Sequence, residues 1–151
     1  MTATTRPAHA ADRDAVARIL IEEGWQDGFV DAGQTWVTCL DGEVVGTGRL
    51  IPASEGLVYV ADVMVREDRR GSGIGSEMMR EIMSSREGAE FFLVCHPERV
   101  AFYERLGYVG EPRRSWPAEV VAVSMAEDDY DSDHDHLHNY LRASKLVGGS
   151  E

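Results

Sequence analysis

Two rhythms of apolar spacing run along this chain, and they meet between Leu57 and Met79. Leu57, Val58, Val60, Val63, Met64 and Val65 form an apolar run rich in β-branched residues and bounded by turn formers. That pattern predicts a buried strand over residues 57–66. A charged turn follows. Ile74, Met78, Met79, Ile82 and Met83 then recur at separations of three and four, the stripe of an amphipathic helix over residues 73–86.

The change of rhythm is repeated downstream. Residues 91–95 read as a second buried strand, and Val100, Phe102, Tyr103 and Leu106 give a helix over residues 97–106 its apolar face. Pro97 suits the first turn of that helix and Gly107 its end. Upstream, Ala15, Val16, Ile19 and Leu20 mark a helix over residues 11–23 with Asp12 near its start, preceded by a short edge strand from Thr2 to Arg6. Gln34–Leu40 and Glu43–Ile51 flank Asp41-Gly42, a favoured two-residue hairpin connection. A turn from Pro52 to Gly56 leads into the central strand, and residues 119–125 are expected to be the last strand. This alternation predicts an α/β (α+β) fold: a mixed sheet flanked by helices, with a locally parallel pair formed by the two middle strands.

Between the central strand and its helix stands Arg70-Gly71-Ser72-Gly73-Ile74-Gly75. Glycines at alternate positions let the backbone turn its N–H groups towards a ligand, and the helix N-terminus adds about half a positive charge. Such a loop is an anion site, most simply for phosphates. The dinucleotide pattern GxGxxG fails, because Ser76 stands where its third glycine should be. The triphosphate loop fails too, since no Lys-Ser/Thr pair follows. Without a ligand the same residues would be a plain glycine-rich turn.

Arg70-x-x-Gly73-x-Gly75, five residues after a strand ending in valine, resembles the acetyl-CoA loop of the GNAT acetyltransferase superfamily. Ala101-Phe102-Tyr103-x-x-x-Gly107-Tyr108 is similar to the superfamily's second signature, in the right order and at the right spacing. Gly46-Thr47-Gly48-Arg49, Asp62–Val65 and Pro97–Tyr103 add a likeness to small amine acetyltransferases of plant and bacterial type, the serotonin acetyltransferases among them. The resemblance covers residues 4–126, so the domain is expected to span 1–126. It implies a sheet that opens around acetyl-CoA between the parallel strands. It also implies acetyl-CoA held by Val63, Met64 and Val65 and by Arg70, Gly71, Ser72, Gly73, Ile74 and Gly75, with Arg70 meeting a phosphate or only fixing the loop.

The implied activity is N-acetyl transfer to a primary amine by direct attack in a ternary complex. An acetyl-CoA-binding sensor or structural module without turnover is the alternative. In the family a tyrosine at the place of Tyr103 sits beside the coenzyme's sulfur, and a phenol protonated at neutral pH can donate to a departing thiolate. Asp62, immediately before the acetyl-CoA strand segment, is the candidate carboxylate anchor or base; equally it is a sheet carboxylate paired with an arginine such as Arg49. His96 stands where many relatives carry a coenzyme-contacting asparagine, and no cofactor role is assigned to it. Gly24–Phe29, with two large aromatics, borders the acyl-acceptor site in the family or else packs over the sheet edge.

Charge changes the picture of partners. The 151 residues carry 27 Asp and Glu against 15 Lys and Arg, a net charge of −12, and Lys145 is the single lysine. That surface suggests a high-salt cytoplasm, where screening relieves self-repulsion. It argues against nucleic acid, which needs a basic footprint, and favours a cationic acceptor, either a small-molecule amine or a protein amine. The first residues do not read as a signal peptide, and no apolar stretch approaches the roughly 20 residues of a membrane helix. Cys39 and Cys95 make no disulfide framework. A cytoplasmic protein follows, with a homodimer left open.

Residues 127–151 hold seven acidic and two basic groups together with His134, His136 and His138. His134 and His138 could share a helical face, but no cysteine accompanies them and no metal is expected. An acidic tail with a short helix over residues 137–147 is the expectation.

Overall fold

The computed structural model describes residues 3–22, 24, 29–127 and 139–144. In chain order the elements are β1 (Thr4–Pro7), α1 (Arg13–Glu22), β2 (Gln34–Leu40), β3 (Glu43–Ser54), β4 (Leu57–Val65) and α2 (Ile74–Ser84). Then follow β5 (Glu90–Cys95), α3 (Val100–Glu104), β6 (Val109–Gly110), α4 (Ala118–Glu127) and β7 (Asn139–Ser144), with short 3₁₀ turns at several helix starts. The strands form one mixed sheet in the order β1-β2-β3-β4-β5-β7-β6. The parallel pair is β4 and β5, as the strand–helix–strand pattern predicts, and its register covers Leu57–Tyr59 against Glu90–Phe92.

The chain divides into two compact units: residues 1–50 with 62–85, and residues 51–61 with 86–151. In the first, β1, β2 and the start of β3 are antiparallel, and the Asp41-Gly42 turn has positive φ at both residues, as a two-residue hairpin of this kind requires. Val16, Ile19 and Leu20 of α1 pack with Val37 and Met64. The methionine-rich stripe of α2 is fully buried. Its approach explains two glycines of β3: a Cβ at Gly46 would lie 3.0 Å from Met78 Sδ, and one at Gly48 3.1 Å from Ile82 Cδ1. Gly46 and Gly48 therefore hold α2 close to the sheet, and α2 carries the glycine loop at its N-terminus.

In the second unit Tyr59, Ala61, Phe92, Trp116 and Val120 form the core, with the Trp116 ring edge-on to Phe92 at 5.2 Å and Tyr140 at 5.8 Å. Two expected elements are corrected here. Residues 119–125 lie in helix α4, not in a last strand. Their valines suit a strand by propensity, but short apolar runs do not separate strand from helix. Pro117 accepts the first helical bonds from Val120 and Val121, and the buried positions, Val120 and Ser124, are four apart.

Where a helix over residues 137–147 was expected, residues 139–144 form β7. It pairs antiparallel with β5 on one side and β6 on the other. Leu141 and Ala143 are buried and alternate with the less buried Tyr140 and Arg142, a period of two that the acidity of the preceding stretch masked. Arg142 anchors the strand by ion pairs to Glu90 and Glu111. His134, His136, His138 and Lys145 lie outside the described residues, as do Trp25, Gln26, Asp27 and Gly28.

Candidate active site

In the first unit, β4 ends at Val65 and the chain passes through a 3₁₀ turn (Glu67–Arg69) into the glycine loop. Gly71 and Gly73 have φ of 82° and 88°, a conformation side chains rarely adopt, and a Cβ built on either would meet nothing within 4 Å. Glycine is required there by backbone shape, and the space outside the loop is open. Gly73 caps α2, whose first helical bond runs from Glu77 N–H to the Gly73 carbonyl at 3.1 Å. The N–H groups of Ile74, Gly75 and Ser76 precede that bond and so have no acceptor within the helix.

Arg70 has a definite place. Its Nε donates to the Val65 carbonyl at 2.8 Å, and Nη2 lies 3.5 Å from Met64 Sδ. The side chain thus folds back on the end of β4 and fixes the loop. Ser72 does likewise, its Oγ donating to the Arg69 carbonyl at 2.9 Å. Arg69 escaped the reading of the sequence: its Nε is buried and has no hydrogen-bond partner among the described residues. A groove of about 600 Å³ lies between α1 (Arg18, Glu22) and residues 66–68. The Arg66 charge in it is taken up by Asp68 at 2.8 Å and Glu43 at 3.3 Å.

Asp62 has φ +56°, well inside the left-handed region, although it belongs to a strand. Its Oδ2 accepts from Arg49 Nε at 2.7 Å, and both side chains are buried, at 8% and 3% exposure. Arg49 Nη1 also donates to the Ala32 carbonyl at 2.8 Å. Of the two readings the sequence left open, the paired sheet carboxylate is the arrangement observed. Val63, Met64 and Val65 follow Asp62 directly, and Met64 is buried in the α1 core.

Tyr103 belongs to the second unit. It sits on α3 with its ring edge-on to Phe102 at 5.0 Å and Tyr108 at 5.6 Å, and only 4% of it is exposed. Among the described residues its hydroxyl has no hydrogen-bond partner. Burial raises its pKa well above that of an ordinary phenol; the nearby Cys95 adds to the shift and the Arg99 charge opposes it. Burial likewise pushes the Cys95 thiol up to about 11. Among the described residues no group of three or more His, Cys, Asp or Glu could hold a metal, and no helix is long and apolar enough to cross a membrane.

Sheet and loop define a class: an α/β protein whose central strand leads through a glycine turn into a helix N-terminus. The family model described as acetyltransferase (GNAT) domain matches residues 31–110, more than half of the chain. The chain belongs to the GNAT acetyltransferase family. No curated protein matches it. Among solved structures, N-acetylglutamate synthase from Neisseria gonorrhoeae, complexed with coenzyme A and L-arginine, is similar with a TM-score of 0.73 at 16% identity. That similarity covers 95% of this chain and 33% of the synthase, so this chain spans a third of its length. Rv2747 from Mycobacterium tuberculosis, in complex with CoA, gives 0.71 at 19% identity, covering 95% of this chain and 99% of that one. Ard1 from Thermoplasma volcanium gives 0.71 at 18%, covering 97% and 99%. At these identities the likeness is one of fold.

Proposed function

We propose that the protein transfers the acetyl group of acetyl-CoA to a primary amine by direct attack in a ternary complex. The observation that carries this reading is the loop at residues 70–75. Its arginine is turned back onto β4, and its left-handed glycines Gly71 and Gly73 have open space around them. The first-turn amides of α2 that follow have no acceptor within the helix. A pyrophosphate suits those amides, and Arg69, with its buried unpartnered Nε, is a further candidate contact. Backbone N–H groups of Val63, Met64 and Val65 are the donors that would polarise the thioester carbonyl.

In the reaction the amine nitrogen bonds to the thioester carbon, the carbonyl oxygen takes up negative charge, and the C–S bond then breaks. The departing sulfur takes a proton from the Tyr103 phenol, which burial keeps protonated. Arg99 lowers the cost of negative charge on that oxygen. Asp62 is a poor base in its present setting: a proton on it would break a buried ion pair and strand the Arg49 charge, a loss of several kcal/mol. Its role on this reading is to hold the backbone of β4.

The acceptor class is a cationic amine, in keeping with the net charge of −12. Small amines, amino acids and protein N-termini fall within it. A cytoplasmic setting at high salt fits the same charge. The test is Gly73→Val, with acetyl-CoA affinity measured by calorimetry. A branched side chain at φ 88° distorts the loop, and affinity should fall by more than about tenfold, the equivalent of ~1.4 kcal/mol. Unchanged affinity removes the loop assignment. Acetyl-CoA binding without thiol release from any amine in a broad panel would make the protein a binding module.

A further inference from the structure

We propose that Arg49 is a positioning residue that locks the bend in β4 to the segment entering β2, so that the acyl-donor strand and residues 29–33 respond together. Its catalytic consequence rests on the acetyl-transfer reading above. One guanidinium serves both partners: Nε holds Asp62 Oδ2 at 2.7 Å and Nη1 holds the Ala32 carbonyl at 2.8 Å. The fork of arginine can do this with fixed geometry, whereas a lysine ammonium on its flexible stem cannot hold both partners in that geometry.

What it holds at the first end is strained. Asp62 keeps φ +56° inside a strand, a conformation that persists in a non-glycine residue only when its surroundings impose it. A left-handed residue interrupts the alternation of the strand, so it decides which way the next peptides, those of Val63 and Met64, present their N–H groups. The carboxylate of the strained residue is the handle by which Arg49 imposes it. At the second end, residues 29–33 are also held by Phe29, which packs against the cluster of Val16, Ile19, Leu20, Val37 and Met64, and by Arg13. It forms an ion pair with Asp31 at 2.8 Å, both partners well exposed, and its guanidinium lies 4.2 Å from the Phe29 ring centroid. Exposed pairs contribute little and the apolar packing of Phe29 is non-directional, so the buried Arg49 bond is the directional tie between this segment and Asp62.

The experiment follows backbone amide exchange of residues 29–33 and 62–65 in the full chain, with and without acetyl-CoA, for the parent, Arg49→Lys and Asp62→Asn. In the parent, acetyl-CoA should slow exchange in both segments. In Arg49→Lys it should slow residues 62–65 alone. Asp62→Asn removes the counter-charge of Arg49, so Tm should fall. Asparagine tolerates the left-handed region and its amide oxygen still accepts from Arg49, so acetyl-CoA should still slow both segments. With an accepted amine, Arg49→Lys should lower kcat/KM for the amine by about 10- to 100-fold while acetyl-CoA affinity moves far less. If the ion pair is plainly structural, Arg49→Lys would lower Tm and leave the coupled response intact, and that result overturns the proposal. If the parent does not bind acetyl-CoA, the acetyl-transfer reading fails by itself. Exchange without ligand then decides: joint acceleration of both segments in Arg49→Lys supports the lock, and acceleration of one alone refutes it.

Discussion

Replacing Tyr103 by phenylalanine separates chemistry from packing, because the two contributions of this side chain are spatially distinct. The ring packs edge-on between Phe102 and Tyr108, and phenylalanine keeps that packing. The hydroxyl makes no hydrogen bond among the described residues, so its removal orphans no described partner. The stability change should stay within about 1 kcal/mol, or roughly 4 °C in Tm for a chain of this length. Turnover should behave otherwise. A positioned acid contributes about 10²–10⁴ in rate, so kcat should fall by that factor, ~2.7–5.4 kcal/mol on the barrier. Acetyl-CoA affinity should hardly move. The assay is initial thiol release at saturating amine, repeated with acyl donors whose leaving thiol is more acidic. The rate loss should shrink along that series, since a better leaving group needs less help. A kcat within about threefold of the parent, or a loss that ignores the leaving group, refutes the assignment.

Other outcomes follow from the same structure. Cys95, whose pKa is raised to about 11 by burial, should resist iodoacetamide in the folded protein at pH 8, and rapid alkylation would show that its surroundings open. The melting temperature should rise between low salt and molar KCl, because the Debye length shrinks from about 10 Å at 0.1 M to about 3 Å at 1 M. A Tm indifferent to KCl removes the salt-adaptation reading of the −12 charge. The rate at subsaturating amine should climb about tenfold per pH unit towards the amine's own pKa near 10. Tyr103, pushed above the ordinary phenol value, should impose no descending limb below that point; a fall in rate between pH 8 and 9 contradicts the protonated-phenol role.

What the sequence disclosed and what it hid divide along physical lines. The stripe of α2 was legible because five apolar positions at helical spacing demand one buried face, and the strand feeding it was legible from β-branched residues between turn formers. The loop was legible because glycine has few other reasons to occupy alternate positions at such a junction. Helix α4 was misread because Val120, Val121 and Val123 satisfy a strand's propensity as well as a buried helix's, and tertiary packing decides between them. Strand β7 was hidden behind the acidic residues before it; its period of two spans too few positions to outweigh that composition. Distances between side chains were out of reach. The Asp62–Arg49 pairing stood only as an alternative, and neither the left-handed backbone of Asp62 nor the bond from Arg49 to Ala32 has a local signature. Arg70 stood as a phosphate contact or a loop fixer, and its donation to the Val65 carbonyl, which ties the loop to β4, is a distance no sequence pattern gives.

The pairing of Asp62 changes the proton accounting of the proposed reaction. An alkylammonium must lose a proton before it can attack, and a second proton must leave nitrogen as the amide forms. A buried carboxylate committed to Arg49 is not available for either. The first loss needs no protein base if the amine enters neutral; at pH 7 that is about one molecule in a thousand, more at higher pH. The second proton can go to the sulfur, which needs one. Tyr103 is suited to pass it: the phenol gives its proton to the thiolate and receives the one from nitrogen, ending as it began. Burial makes a lasting tyrosinate costly, which favours such a relay over a stepwise acid, and the Arg99 charge offsets part of the cost while the transfer occurs. On the proposed reaction, the proton relay falls to Tyr103, polarisation of the carbonyl to the backbone after Asp62 and the pyrophosphate to the glycine loop. The buried ion pair of β4 is left with the task of keeping that strand bent.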